Sequence, residues 1–144
     1  MLEQREYQPE HQAEGIAPGE PCSLVASFSE ITGIITVTGH GEWSETMVRR
    51  HFATLEKMIA EIRASGRPVL ALVDLRKAEN QTETVAALTA REANRIHGRS
   101  DRIAIMASSS LMKMRMKEAA SKSQREFFLS ENAALTWLTA HHRH

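Results

Sequence analysis

The feature that most constrains the fold of this chain is VLALVDL, an uninterrupted apolar run at residues 69–75. An apolar run of strand length, without alternating polar residues, is typical of a central strand that is covered on both faces. A second run, DRIAIMA at 101–107, has the same character. Because segments with helical periodicity lie between the strands, the chain is predicted to be an α/β protein.

Helical periodicity identifies the segments between the strands. The clearest helix follows Ser44, a good N-cap residue, and ends before Gly66 and Pro68. A second helix is predicted over 84–98, and a last one follows the N-cap residue Ser130. The apolar face of the first helix is predicted to consist of Val48, Phe52, Leu55, Ile59 and Ile62.

Three further segments are predicted to be strands. CSLVASFSE (22–30) and IITVTG (34–39) form a hairpin around a turn that contains Gly33, and a short strand follows at Glu126–Leu129. The polar stretch RKAENQTE (76–83) is predicted to be a loop. The resulting order, β-β-α-β-α-β-α-β-α, predicts a mixed sheet of four or five strands with helices packed on it.

The stretch LMKMRMK (111–117) alternates apolar and basic residues, a pattern that fits either a strand or a helix. In a strand the next inward position would be 118, but that residue is Glu118. In a helix Met112 and Met116 share one side, so a helix is predicted. Two roles stay open: the methionines pack on the sheet, or they form an adaptable, basic-rimmed face for an acidic partner or a lipid headgroup.

Length and composition indicate one domain. The 144 residues suffice for a single core, and 42% hydrophobic with 25% charged residues are ordinary values for a globular protein. Residues 1–21 hold three of the four prolines and many polar residues. They are predicted to form a flexible or draped N-terminal arm, followed by a single domain at 22–144.

The charge balance and the cysteine content argue against several classes of protein. The 18 Lys and Arg residues balance 18 Asp and Glu residues, which argues against a nucleic-acid binder. Cys22 is the only cysteine, so no intrachain disulfide can form and a cytoplasmic location is expected. No run approaches the ~18 apolar residues of a membrane span. The N-terminus lacks the apolar core of a signal peptide, and no stable membrane insertion is expected.

Three motifs carry a resemblance to a known family. GIITVTGHGEWSETM is a strand entering a helix, VLALVDLR is a central strand ending in Asp-Leu, and EFFLSENAALTWL forms the closing segment. In order and spacing, over roughly residues 22–140, they resemble the STAS superfamily of sulfate transporter and anti-sigma factor antagonist domains. The likeness is to its SpoIIAA-like bacterial branch, sometimes grouped as STAS/SEC14-like. The resemblance implies a mixed sheet with packed helices and a non-enzymatic regulatory or binding role through protein–protein contacts.

The resemblance also implies a phosphorylation site. In anti-sigma antagonists the central strand leads to an Asp-Ser-Ser-Gly-Leu motif, in which a serine at a helix start is phosphorylated by the partner kinase. This chain has NQTETVAAL (80–88) there, and Thr82 and Thr84 are the nearest candidate phosphoacceptors. A phosphate at a helix start would meet free backbone N–H groups and the positive end of the helix dipole. The alternative is that one threonine is simply the N-cap.

Asp74 ends the central strand, and ligands of open α/β sheets gather outside this end of the strands. Asp74 is therefore a candidate binding-pocket residue. The alternative is that Asp74 stabilises its own loop by accepting hydrogen bonds from backbone N–H groups. A pocket between the sheet and the methionine helix would suit a small apolar ligand or a lipid. The other candidate pocket residues are Ser108, Ser109, Met112 and Met116.

The sequence suggests no metal site, no cofactor and no catalytic group. His40, Glu42 and His51 match no known spacing of metal ligands, and nothing resembles a nucleophile with its base. The leading hypothesis is a binding domain for a protein partner or for its own copy, with the hairpin edge at Ser23–Glu30 pairing two chains into a homodimer. A carrier of a small apolar ligand or lipid is the alternative. An enzyme that uses Asp74 and histidines ranks last.

Overall fold

The computed structural model describes residues 22–108 and 124–142, without the side chains of residues 141 and 142. Within these ranges strands alternate with helices, which confirms the predicted α/β class. The elements are β1 (Ser23–Phe28), β2 (Ile34–Gly41), α1 (Glu45–Ala64), β3 (Leu70–Ala78), α2 (Glu83–Ile96), β4 (Arg102–Met106), β5 (Gln124–Phe128) and α3 (Glu131–His142). The predicted arm at 1–21 and the predicted methionine helix lie outside the described residues.

The five strands form one sheet in the order β1-β2-β3-β4-β5. β1 and β2 are an antiparallel hairpin, and β2, β3, β4 and β5 run parallel. The hairpin turn has Gly33 at φ 75°, a left-handed conformation that favours glycine. The sheet is therefore mixed, as predicted, with the apolar run of β3 at its centre. Among the described strands β1 lies at the edge of the sheet, which the predicted pairing of two copies requires, and the homodimer itself stays a prediction.

Both faces of the sheet carry helices, because side chains along a strand alternate between the two faces. α1 and α2 cover one face, and α3 packs over β3, β4 and β5 on the other, which we call the α3 face. Ala71 lies in the first core and Leu72 in the second, so β3 is buried on both faces as predicted. The core of the α3 face includes Leu70, Leu72, Ala104, Met106, Ala134 and Leu138.

The helix α1 begins where the sequence predicts. The Ser44 hydroxyl accepts a hydrogen bond from the Met47 backbone N–H at 3.1 Å. Gly66, at φ 82°, follows the last turn and ends the helix as expected. The buried face contains all the predicted apolar residues and adds His51 and Met58. None of the helices in the two described ranges is both long and apolar enough to cross a membrane.

The predicted loop after the central strand is partly wrong. β3 continues through Arg76 to Ala78, where Lys77 and Ala78 pair with His40 and Gly41 of β2 after a register shift. Backbone hydrogen bonds between strands do not depend on side-chain polarity, so exposed polar residues can extend a strand. The last strand also begins earlier than predicted, at Gln124.

Candidate functional site

The carboxyl ends of the four parallel strands lie at one edge of the sheet, which we call the carboxyl edge. Asp74 is the middle residue of β3 and pairs with Met106, the last residue of β4, and Thr82 and Thr84 stand at the start of α2. Ser108 follows the end of β4. The structure therefore places these four predicted site residues at one edge, where α/β sheets commonly bind their ligands.

Asp74 is held by Arg76 through both carboxylate oxygens. Arg76 Nε donates to Oδ1 and Nη2 donates to Oδ2, each at 2.9 Å, and the Arg76 backbone N–H donates to Oδ1 at 3.1 Å. The side-chain hydrogen bond from Arg76 holds the pKa of Asp74 below its ordinary value. Arg76 also lies 3.9 Å from the Glu131 carboxylate at the start of α3. Asp74 thus accepts a backbone N–H bond, as the alternative to a pocket role predicted, but the donor is Arg76 within β3 rather than a residue of a loop.

Gln81 joins the two loops of the edge. Its Oε1 accepts a hydrogen bond from the Trp43 backbone N–H at 2.7 Å. Its Nε2 donates to the carbonyl oxygens of Gly41, at 3.0 Å, and of Glu79, at 2.8 Å. One amide side chain therefore connects the turn after β2 to the segment that leads into α2. Sequence reasoning missed this role because glutamine in a polar loop has no distinguishing pattern.

Thr82 is the N-cap of α2. Its side-chain oxygen accepts a hydrogen bond from the Val85 backbone N–H at 3.2 Å, and its carbonyl accepts one from Ala86 at 2.8 Å. The N-cap alternative from the sequence is therefore correct for Thr82. Thr84, the second residue of the helix, is exposed. Phosphorylation of either threonine stays a prediction.

Leu129 adds an exposed apolar side chain to this edge. It follows β5 and keeps 54% of its surface exposed. The Ala107 backbone N–H donates to the Phe128 carbonyl at 3.1 Å, so Ser108 and Leu129 leave the sheet from neighbouring strand ends. The first turn of α3 begins just beyond, at Glu131.

Three of the predicted pocket residues, Ser109, Met112 and Met116, lie outside the described residues. The pocket between Asp74 and the methionine helix therefore stays a prediction, and so does the apolar ligand or lipid assigned to it. Within the described ranges, no group of three histidine, cysteine or acidic residues is arranged to hold a metal ion.

A buried ionic cluster lies at the opposite end of the sheet, near the start of β4, and was not predicted from the sequence. Asp101 is 1% exposed, and its Oδ2 lies 2.7 Å from Arg63 Nη2, 2.8 Å from His97 Nδ1 and 3.1 Å from the Gly98 backbone nitrogen. Burial alone would raise the pKa of Asp101, but the hydrogen bonds outweigh it and hold the pKa below the ordinary value. The cluster joins the ends of α1 and α2 to the start of β4. A histidine four residues before an aspartate carries too little information to predict it.

Comparison with known proteins identifies the fold. No protein-family model matches the chain, and no curated protein matches it. The structure is similar to an uncharacterised DUF3478-family protein with a SpoIIAA-like fold from Shewanella loihica, at TM-score 0.64 and 19% identity, covering 86% of this chain and 99% of that one. It is also similar to an anti-sigma factor antagonist from Mycobacterium paratuberculosis, at TM-score 0.52 and 14% identity, covering 85% and 97%. The chain has the SpoIIAA-like fold, as its sequence motifs predicted.

Proposed function

We propose that this chain is a cytoplasmic regulatory domain that docks a protein partner at its carboxyl edge and acts by binding rather than by catalysis. The main support for the proposal is that polar side chains at the carboxyl edge form hydrogen bonds within the chain, and these bonds fix the conformation of the edge. Asp74 binds Arg76, Gln81 joins two loops, and Thr82 caps α2. A surface fixed in this way favours docking, because little order has to be gained on binding. The similarity to a solved anti-sigma factor antagonist supports the same function.

Leu129 is the proposed apolar contact of this interface. Its side chain is exposed, the polar residues Ser130 and Glu131 follow it in the chain, and Ser108 follows the neighbouring strand end. An apolar centre with a polar, solvent-accessible rim is the usual composition of a protein–protein interface. The partner would therefore bury Leu129 and meet the polar groups of the edge around it.

Thr82 and Thr84 are the proposed points of control. Both are exposed at the start of α2, on the same edge as Leu129. Phosphorylation adds nearly two negative charges and three strong acceptor oxygens. Added next to Glu83, this charge would change a docking surface without unfolding the helix, because a helix start tolerates negative charge.

A pair of matched variants tests the proposal. Leu129 and Ile31 are the large apolar residues that stand exposed in the described ranges, and Ile31 lies in the hairpin turn at the opposite edge. Leu129→Asp and Ile31→Asp therefore make the same chemical change at opposite ends of the sheet. We expect a partner captured by the full chain from its native cell extract to be lost with Leu129→Asp and kept with Ile31→Asp. Retention by both variants, or equal loss from both, would contradict docking at the carboxyl edge.

A further inference from the structure

Arg102, the first residue of β4, has a buried nitrogen atom without a partner. Its side chain lies on the α3 face, because Ala104 and Met106 of the same strand belong to the core of that face. Arg102 Nη1 is buried, and no described residue accepts a hydrogen bond from it. A buried charged donor without an acceptor is costly, so such groups are normally paired. The Arg102 guanidinium therefore indicates an anion that the described residues do not supply.

The acidic residues near Arg102 do not provide this anion. Asp101 precedes it, but the Asp101 carboxylate already belongs to the buried cluster at this end of the sheet. Glu126 lies on the same face of β5, yet within residues 22–108 and 124–142 the structure shows no ion pair between Glu126 and Arg102. The in-register neighbours of Arg102 are Leu70 and Gln124, which carry no charge. The anion therefore has to come from another segment of the chain or from a ligand.

The α3 face is open beside α3. The helix α3 packs on β3, β4 and β5, whereas the helix that packs on β1, which is α1, lies on the opposite face. The part of the α3 face that β1 and β2 form is therefore left without a packed helix among the described elements. Only β3 separates this open part from β4 and Arg102.

Residues 1–21 are joined directly to the open part of the α3 face. They lead through Cys22 into β1, which begins at Ser23. They contain five glutamates and one arginine, so the segment is acidic and its charge complements the unpaired guanidinium of Arg102. Because Arg102 Nη1 is closed off from solvent, a carboxylate carried by the same chain is better placed to meet it than a freely diffusing anion.

The segment is long enough to reach Arg102. Ser23 pairs with His40 near one end of β2, and Ile34 at the other end of β2 is in line with Leu70 and Arg102. At about 3.3 Å per residue and about 4.8 Å per strand spacing, Ser23 and Arg102 lie roughly 25 Å apart. An extended chain covers this distance in about eight residues. Glutamates that precede Ser23 by at least that number can therefore reach the guanidinium.

We infer that residues 1–21 dock across the open part of the α3 face and that Glu14 or Glu10 forms an ion pair with Arg102. Glu14 and Glu10 stand nine and thirteen residues before Ser23, within reach, whereas Glu20 is too close to Ser23. The contact ties the N-terminal segment to the end of the sheet opposite the carboxyl edge. It lies within one chain, so it does not depend on the partner proposed for that edge.

Backbone NMR relaxation of the full chain tests the docking. We expect the amides of residues 10–14 to have order parameters near those of a rigid backbone, about 0.85, and to fall below about 0.6 in Arg102→Gln. Arg99→Gln, at an exposed arginine, is the matched control and should leave them unchanged. The double variant Glu10→Gln/Glu14→Gln leaves the sheet unaltered and should release the segment in the same way. The test therefore also holds if Arg102→Gln does not fold.

Denaturant unfolding identifies the pairing carboxylate. Arg102→Gln should raise the unfolding equilibrium constant by about tenfold, the usual effect of losing a hydrogen bond to a charged group. Substitution of the pairing glutamate by glutamine should have a similar effect, and the two changes together should cost little more than one. Glu20→Gln is the control within the segment and should have almost no effect.

The inference is wrong if residues 10–14 are mobile in the unaltered chain. It is equally wrong if Arg102→Gln is fully additive with both Glu10→Gln and Glu14→Gln. Coupling of Arg102→Gln to Glu126→Gln instead would overturn it and assign an ion pair within the sheet. Saturable shifts of the Arg102 amide on addition of inorganic phosphate, with residues 10–14 mobile, would overturn it and assign the guanidinium to a free anion.

Discussion

Trp43 lies directly against Gly39, so that a β-carbon on Gly39 would come within 2.6 Å of Trp43 Cζ2. The Trp43 indole N–H donates to the carbonyl oxygens of Ser23 and His40, at 3.1 Å each. The Trp43 ring is buried, and the backbone N–H of Trp43 donates a hydrogen bond to the Gln81 side chain. The Trp43 side chain thus joins β1 to β2, and its backbone N–H connects the segment before α1 to Gln81.

The contact predicts that Gly39→Ala destabilises the fold. The added methyl group has to displace the indole, and overpacking of this kind costs about 2 kcal/mol in the free energy of unfolding. Gly98→Ala is the control, because a β-carbon there would lie 3.8 Å from the flexible end of Arg63. Denaturant unfolding of both variants checks the prediction, and equal losses of stability would contradict it.

The cluster around Asp101 predicts that removing the charge of Asp101 clearly lowers the free energy of unfolding. Asp101→Asn leaves His97 and Arg63 without their carboxylate and is expected to cost about 2–3 kcal/mol, less than a fully buried pair because Arg63 is half-exposed. Glu56→Gln is the matched control. Glu56 pairs with Arg95 at 3.1 Å, but both side chains are exposed, so stability should hardly change. Comparable losses in the two variants would show that burial of Asp101 adds nothing.

The same cluster predicts how the free energy of unfolding changes with pH. The pKa of Asp101 is lower in the folded chain than its ordinary value of 3.8, so the folded state favours the ionised carboxylate. The stability it contributes is fully present at neutral pH and is lost as the pH falls below about 4, through the lowered folded pKa. The difference in unfolding free energy between the unaltered chain and Asp101→Asn should therefore shrink on acidification. A difference that stays constant from neutral pH down to pH 3 (about one unit below the ordinary pKa) would contradict this assignment.

The sequence predicts the fold well where the signal is local. The Ser44 cap and the apolar spacing of α1 are properties of neighbouring residues, and the run at 69–75 reveals a strand buried on both faces. The extension of β3 to Ala78 depends instead on pairing with β2. That pairing uses backbone groups, which every residue has, so the polar side chains gave a misleading signal.

The site is less predictable than the fold, because its contacts join residues far apart in the chain. Gln81 bonds to Trp43, 38 residues away, and Arg63 bonds to Asp101, also 38 residues away. No local pattern indicates which distant backbone group an amide or a carboxylate will meet. Thr82 was predictable as a cap because its bond partner is only three residues ahead.

The N-cap role of Thr82 predicts that replacing Thr82 costs more stability than replacing the nearby Thr84. Thr82→Ala removes the acceptor of the Val85 N–H and should cost about 1 kcal/mol in the free energy of unfolding. Thr84→Ala removes an exposed side chain of the same helix turn and should leave stability nearly unchanged. Thermal or denaturant unfolding separates the two. If Thr84→Ala is the more costly variant, the role assigned to Thr82 is wrong.

Regulation by phosphorylation predicts that a negative charge at the start of α2 blocks partner binding. Thr82→Glu and Thr84→Glu should each abolish binding of the captured partner, by repelling it or by excluding it from the edge. The chain supplies a control for helix stability, because α1 starts with Ser44-Glu45-Thr46 as α2 starts with Thr82-Glu83-Thr84. Thr46→Glu and Thr84→Glu should therefore have similar, small effects on unfolding, so that any loss of binding at Thr84 reflects the surface rather than the fold. Normal binding by both Thr82→Glu and Thr84→Glu would show that neither threonine is a switch, while docking through Leu129 would stand on its own test.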